Sequence, residues 1–257
     1  MANELKNFYK NYLNIENEQS VLKAVFFGIS RQERDVLLNN WRQFEKPDII
    51  NISKNCTYGI EHFEYDSYAN NRNGSIQRKE YSKINASIEE EVKEKIKDKT
   101  VITTYREMIS RPNSNNYKNN FIKIFKDHYS KVPKYKKHLL QESPANKTSV
   151  WFLAEDATPL GSHFFYNNKK NKPTLKPVLP IFFPEIEKLF LKCNGIDGII
   201  FADNYYKILS ICKRDKKAIE DLKESFDYNC EPIEFFNPKI ISTTIKIMEE
   251  NEGISND

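Results

Sequence analysis

Two short apolar segments that each carry carboxylates constrain this chain more than any other feature. Pro47-Asp48-Ile49-Ile50-Asn51-Ile52 and the run from Tyr58 to Asp66 are rich in Ile, Tyr and Phe, and Lys54-Asn55 supplies a turn between them, so two strands are predicted. A carboxylate buried without a partner is costly, so acids inside such runs call for a cation, a hydrogen-bond network or the wet edge of a sheet. Side chains alternate along a strand, which puts Glu61, Phe63 and Tyr65 on one face and His62, Glu64 and Asp66 on the other. Both faces therefore carry acids, and a divalent-metal site is the first expectation.

Several classes drop out early. The chain of 257 residues has only 7 Gly and shows neither a GxGxxG nor a GxxxxGK[ST] pattern, which ranks ATPase and dinucleotide-dependent dehydrogenase readings low. Its four cysteines, Cys56, Cys193, Cys212 and Cys230, include no CxxC, and the four histidines show no HExxH spacing, so a structural zinc site is not expected and reduced thiols are. No apolar run suits a signal peptide or a membrane span, which predicts a cytoplasmic protein without a membrane partner. The 17 Phe and 14 Tyr supply the apolar surface for a core.

Periodicity gives the order of elements. Apolar residues at helical spacing predict two opening helices, one through Leu5, Phe8 and Tyr12 and one after Ser20 through Val21, Leu22, Val25 and Phe26. Ser30 and Glu33 form a capping box before a helix along Leu37, Leu38, Trp41 and Phe44. After the two acid-bearing strands, Asn70 to Gly74 reads as an exposed loop, and Ser87 with Glu90 opens a helix through Val92 and Ile96. Tyr117, Phe121, Ile124, Phe125 and His128 trace a helix stripe whose other side is basic; residues 118–138 hold seven lysines against one acid.

Ser149 to Ala154 is a buried-strand run ending in Glu155-Asp156, Pro184 starts a helix that stops before Gly195, and strands are predicted over 198–202 and 205–211. A charged helix over 214–224 and a last helix through Ile241, Ile245 and Met248 complete the order. The whole, 1–257, reads as one α/β domain, a mixed central sheet flanked by helices, with a helical, lysine-rich insertion over about 67–148.

The helix with Glu33, the Pro47-Asp48 strand start and Glu61 in the next strand together resemble the PD-(D/E)xK nuclease superfamily. The resemblance covers residues 30–66 by motif and the remainder by element order, and it implies a restriction-endonuclease-like αβββαβ core. It further implies that Asp48 and Glu61 hold Mg²⁺ or Mn²⁺ for phosphodiester hydrolysis on DNA or RNA, with Glu33 as a supporting helical acid. The family's lysine belongs two residues after the Glu, where this chain has Phe63. Three readings of that departure stand open: a lysine supplied by Lys79, Lys83 or Arg78, an alternative acid pair of Glu64 and Asp66, or loss of catalysis on a retained fold.

The basic stretch adds candidates for backbone contact in Lys131, Lys134, Lys136 and Lys137, with Tyr135 among them as a base-stacking ring. Glu155-Asp156 is a further acid pair at a strand end, able to add ligands or to cap the next turn. Beside the nuclease expectation stand a non-catalytic nucleic-acid-binding module that uses only the basic region, and a protein-interaction domain in which the strand acids pair with cationic side chains.

Overall fold

A computed structural model describes residues 23–38, 41–69, 71–96, 102–107, 113–143, 147–158, 163–167, 173–203, 208–226, 228, 234–235 and 240–245. In chain order the elements are β1 Lys23–Phe27, α1 Arg31–Leu38, β2 Arg42–Gln43, β3 Ile49–Ile52, β4 Thr57–Tyr65, α2 Arg72–Ile96, β5 Ile102–Glu107, α3 Ser114–Tyr129 and α4 Val132–Glu142. They continue with β6 Thr148–Asp156, β7 His163–Asn167, β8 Pro173–Pro177, α5 Pro184–Lys192, β9 Gly198–Asp203, β10 Ile208–Lys213, α6 Lys216–Ser225, β11 Glu234–Phe235 and β12 Ile240–Ile245. Two compact units result, one of residues 1–67 with 114–236 and one of 68–113 with 237–257.

The first unit is built on a seven-stranded sheet in the order β1-β10-β9-β6-β4-β3-β2. β4, β6 and β9 run parallel, while β3 and β10 pair antiparallel with β4 and β9 respectively, so the sheet is mixed as expected. Alternation along the buried strands sends side chains into two apolar clusters. Phe63, Tyr65, Phe152, Ala154 and Phe201 meet the inward stripes of α3 (Tyr117, Phe121, Phe125), α4 (Val132, Tyr135, Leu139), α5 and α6. Ile49, Ile60, Trp151, Leu153 and Ile200 meet Leu37 of α1 and the Trp41 ring. Burial of Trp151 to 1% agrees with its expected core role, and its ring covers Gly198, where a Cβ would stand 2.0 Å from it. A separate three-stranded sheet has the order β11-β7-β8.

In the second unit β12 pairs antiparallel with β5 along its whole length. Asn71 starts α2, its Oδ1 accepting from the Gly74 N–H at 3.0 Å and its carbonyl from the Ser75 N–H at 3.1 Å. Arg78 on that helix lies over the Tyr68 ring, 5.7 Å from its centroid.

The structure corrects several expectations. The segment expected as a helix after Ser20 is β1 over its described part, since Lys23–Phe27 gains a parallel ladder with β10 that overrides local periodicity. The exposed loop expected over 70–74 is helical from Arg72, where α2 begins. The helix expected through Phe44 is α1 to Leu38, and β2 follows at Arg42–Gln43. The last expected helix is β12 over its described part, where Thr243, Thr244 and two flanking isoleucines favour the pleated backbone. The insertion is narrower than 67–148 and not wholly helical: α3 and α4 pack on β4 and β6 within the first unit, and β5 lies in the second. β7 and β8 have no counterpart in the sequence reading, and the expected helix through Leu5 lies outside the described residues. Among the described residues no helix is long and apolar enough to cross a membrane.

Candidate functional site

The β3–β4 hairpin sets the site. Ile49 pairs with Ile60 and Ile50 with Gly59, and the same register continued one step places Asp48 across from Glu61. Ile50 and Phe63 both face the cluster beneath α3 and α4, so Asp48 and Glu61, two residues before each of them, share that face. Gly59 makes the approach possible: a Cβ there would stand 2.5 Å from Pro47 Cγ and 2.8 Å from Leu139 Cδ1. Asp48 Oδ2 accepts the backbone N–H of His62 at 2.7 Å.

Two helices bring partners to Glu61, whose side chain is buried. His128, one turn beyond Phe125 on α3, meets Oε1 through Nδ1 at 2.8 Å. Tyr135, one turn into α4, donates its phenol to the same oxygen at 2.5 Å. Burial raises the Tyr135 phenol far above its ordinary range, and its bond to Glu61 raises it further, so it remains a donor. Burial, then the Glu61 charge, pushes the half-buried Asp48 up to about 6, against the opposing pull of the His62 N–H and the His62 and His128 rings.

The opposite face of β4 carries a second constellation. His62 and Glu64 are two apart on β4, and Glu64 is registered beside Glu155 of β6. His62 Nε2 and Glu155 Oε2 are 2.9 Å apart, and one ligand atom from each of the three residues falls within 4.8 Å of the others. Glu64 is exposed, His62 half-buried and Glu155 buried.

Other expected residues go elsewhere. Glu33 accepts from the Ser30 N–H at 3.0 Å while the Glu33 N–H donates to Ser30 Oγ at 3.3 Å, which is the expected capping box, and its other oxygen meets Lys213 Nζ at 3.0 Å. Burial works against that charge, yet Ser30 and Lys213 hold the carboxyl below its ordinary range. Glu33 is thus a helix-capping residue whose two oxygens go to Ser30 and Lys213. Asp66 Oδ1 accepts from Asn120 at 3.2 Å, just past the end of β4. Asp156 is engaged apart from Glu155, accepting from the Thr158 N–H at 2.8 Å and from the Tyr117 hydroxyl at 3.5 Å. Lys79 is exposed on α2 in the second unit.

Phe63 lies in the core with its ring centroid 5.3 Å from that of His128. Tyr135 is not a stacking platform, because it is only 2% exposed. Lys131, Lys134 and Lys137 are exposed and Lys136 half-buried, beside or on the helices that deliver His128 and Tyr135 inward. Sequence reasoning missed both partners of Glu61, although a histidine and a tyrosine on apolar helix stripes were the visible signal.

Two carboxylates on one face with an imidazole beside them suit a hard divalent cation or proton transfer. No family model, no curated protein and no solved structure matches this chain.

Proposed function

We propose that the protein is a divalent-metal-dependent phosphodiesterase acting on DNA or RNA, with Asp48 and Glu61 as ligands for Mg²⁺ or Mn²⁺. The observation that carries this reading is the pairing of two like charges on one sheet face, with Asp48 displaced to about 6 by burial and by Glu61. Such a pair takes up a proton as pH falls through about 6 and offers two carboxylates to a cation above it. Oxygen-only donors match Mg²⁺ and Mn²⁺. A cation there would neutralise charge developing on a phosphate and lower the pKa of a bound water.

The chain's own residues supply the rest. Tyr135 and His128 fix Oε1 of Glu61, and the imidazole offers a proton-accepting group in the neighbourhood where the PD-(D/E)xK resemblance calls for lysine. Glu61 is buried, so substrate meets the pair from the side of half-buried Asp48. Exposed Lys131, Lys134 and Lys137 would attract a phosphate backbone. Cys56, Cys193 and Cys212 are buried free thiols, compatible with a cytoplasmic setting.

The test is cleavage of labelled DNA and RNA with Mn²⁺ or Mg²⁺, compared among wild type, Asp48→Asn and Glu61→Gln. Cleavage that needs the cation and disappears in both folded variants is the expected result. Cleavage unaffected by either variant would refute the assignment. The exposed lysines favour one further reading, a non-catalytic nucleic-acid binder, which predicts salt-sensitive binding indifferent to chelator and no cleavage.

A further inference from the structure

We propose that His62, Glu64 and Glu155 form a separate metal site on the sheet face opposite Glu61, one that takes a first-row divalent transition ion such as Zn²⁺. The inference goes beyond the phosphodiesterase reading and does not depend on it.

The geometry is that of a site assembled by regular structure. Alternation on β4 places His62 and Glu64 on one face, and the parallel register sets Glu155 directly beside Glu64. Two carboxylates on neighbouring strands beside one imidazole make a three-donor set that an ion can share. Donor atoms on one zinc ion about 2.1 Å away stand roughly 3–4 Å apart. The observed grouping within 4.8 Å therefore closes through rotation of the exposed Glu64 side chain, and the His62–Glu155 contact at 2.9 Å is exchanged for coordination by both groups.

Donor chemistry selects the ion. An imidazole nitrogen with two carboxylates favours Zn²⁺, Co²⁺ or Mn²⁺ over Mg²⁺ and Ca²⁺, which prefer oxygen alone. Three protein ligands leave a coordination position, and the exposure of Glu64 leaves it open to water. The backbone of His62 is anchored independently, since its N–H is held by Asp48 at 2.7 Å.

Co²⁺ is the probe, titrated into the full chain and followed by its visible absorption, with Zn²⁺ as competitor. Wild type should develop the band, and Zn²⁺ should abolish it. Because even residues behind a ligand typically cost 10–100-fold in metal affinity, loss of a direct ligand in Glu64→Gln or His62→Gln should weaken binding by about 100-fold. Glu64 is exposed, so Glu64→Gln folds and keeps the test decisive if His62→Gln does not. A band absent from wild type, or unchanged in Glu64→Gln, overturns the proposal. Failure of the phosphodiesterase reading would show instead in the cleavage assay, with this band intact.

Discussion

The phenol of Tyr135 donates to Oε1 of Glu61 at 2.5 Å, which ties the first turn of α4 to the middle of β4 through a carboxylate inside the core. A hydrogen bond to a charged acceptor contributes about 1.5–3 kcal/mol, and its loss would leave Glu61 with one donor fewer in a buried setting. Tyr135→Phe should therefore lower unfolding free energy by about that amount in urea denaturation, while leaving the folded packing unchanged. A loss below about 0.5 kcal/mol would show the contact to be incidental.

Asp48 gives a signed pH dependence. Its folded value of about 6 lies above the ordinary 3.8, so between those values the folded chain holds a proton that the unfolded chain releases. Its contribution to stability is complete below the lower value and is lost as pH rises through 6. With a discount for partial exposure, Asp48→Asn should be about 1–2 kcal/mol more stable than wild type above pH 6, and equal to it near pH 4. Thermal melts across that range, repeated with Mn²⁺, would check this; in the proposed reading the ion narrows the gap because only wild type binds it.

Gly59→Ala places a methyl 2.5 Å from Pro47 and 2.8 Å from Leu139. Overpacking of this kind costs about 1–3 kcal/mol, and here it presses on both the residue before Asp48 and the helix bearing Tyr135. The variant should lose stability and cation affinity together in parallel calorimetric titrations. Lost stability with cation affinity intact would separate the hairpin crossing from the acid pair.

Glu33→Ala removes a capping box and the Lys213 partner, and should cost about 1 kcal/mol. Mn²⁺ affinity should not change. A parallel fall in Mn²⁺ affinity would restore Glu33 as a supporting acid of the cation site.

In the proposed reading, Lys134→Ala, Lys136→Ala and Lys137→Ala combined should weaken nucleic-acid binding and reduce the slope of log affinity against log salt by about 2–3, close to one for each phosphate no longer neutralised. An unchanged slope, measured by fluorescence anisotropy, would place the binding surface elsewhere.

Much of the central sheet is legible in the sequence because its strands are short β-branched or aromatic runs bounded by turn residues, as at Ile49–Ile52 and Ser149–Ala154. β1 and β12 read as helices because Val21 with Val25, Leu22 with Phe26, and Ile241 with Ile245 satisfy a helical period, and only the β10 and β5 partners decide. Asp48 and Glu61 stand out as acids in apolar runs. His128 and Tyr135 do not, since a polar group on a core stripe reveals its purpose only when the strand opposite supplies a matching acceptor. The Lys134–Lys137 cluster masks Tyr135, whose inward direction follows from Val132 and Leu139 one turn to either side.

Glu61 and His62 are consecutive, yet each serves a different side of β4. A one-residue insertion or deletion between Ser53 and Gly59 that slipped the strand against β6 would turn the acid out of its phenol–imidazole cradle and swing the imidazole in, exchanging the chemistry of both sides at once. The length of that connection therefore decides which side of the sheet receives the acid and which the imidazole.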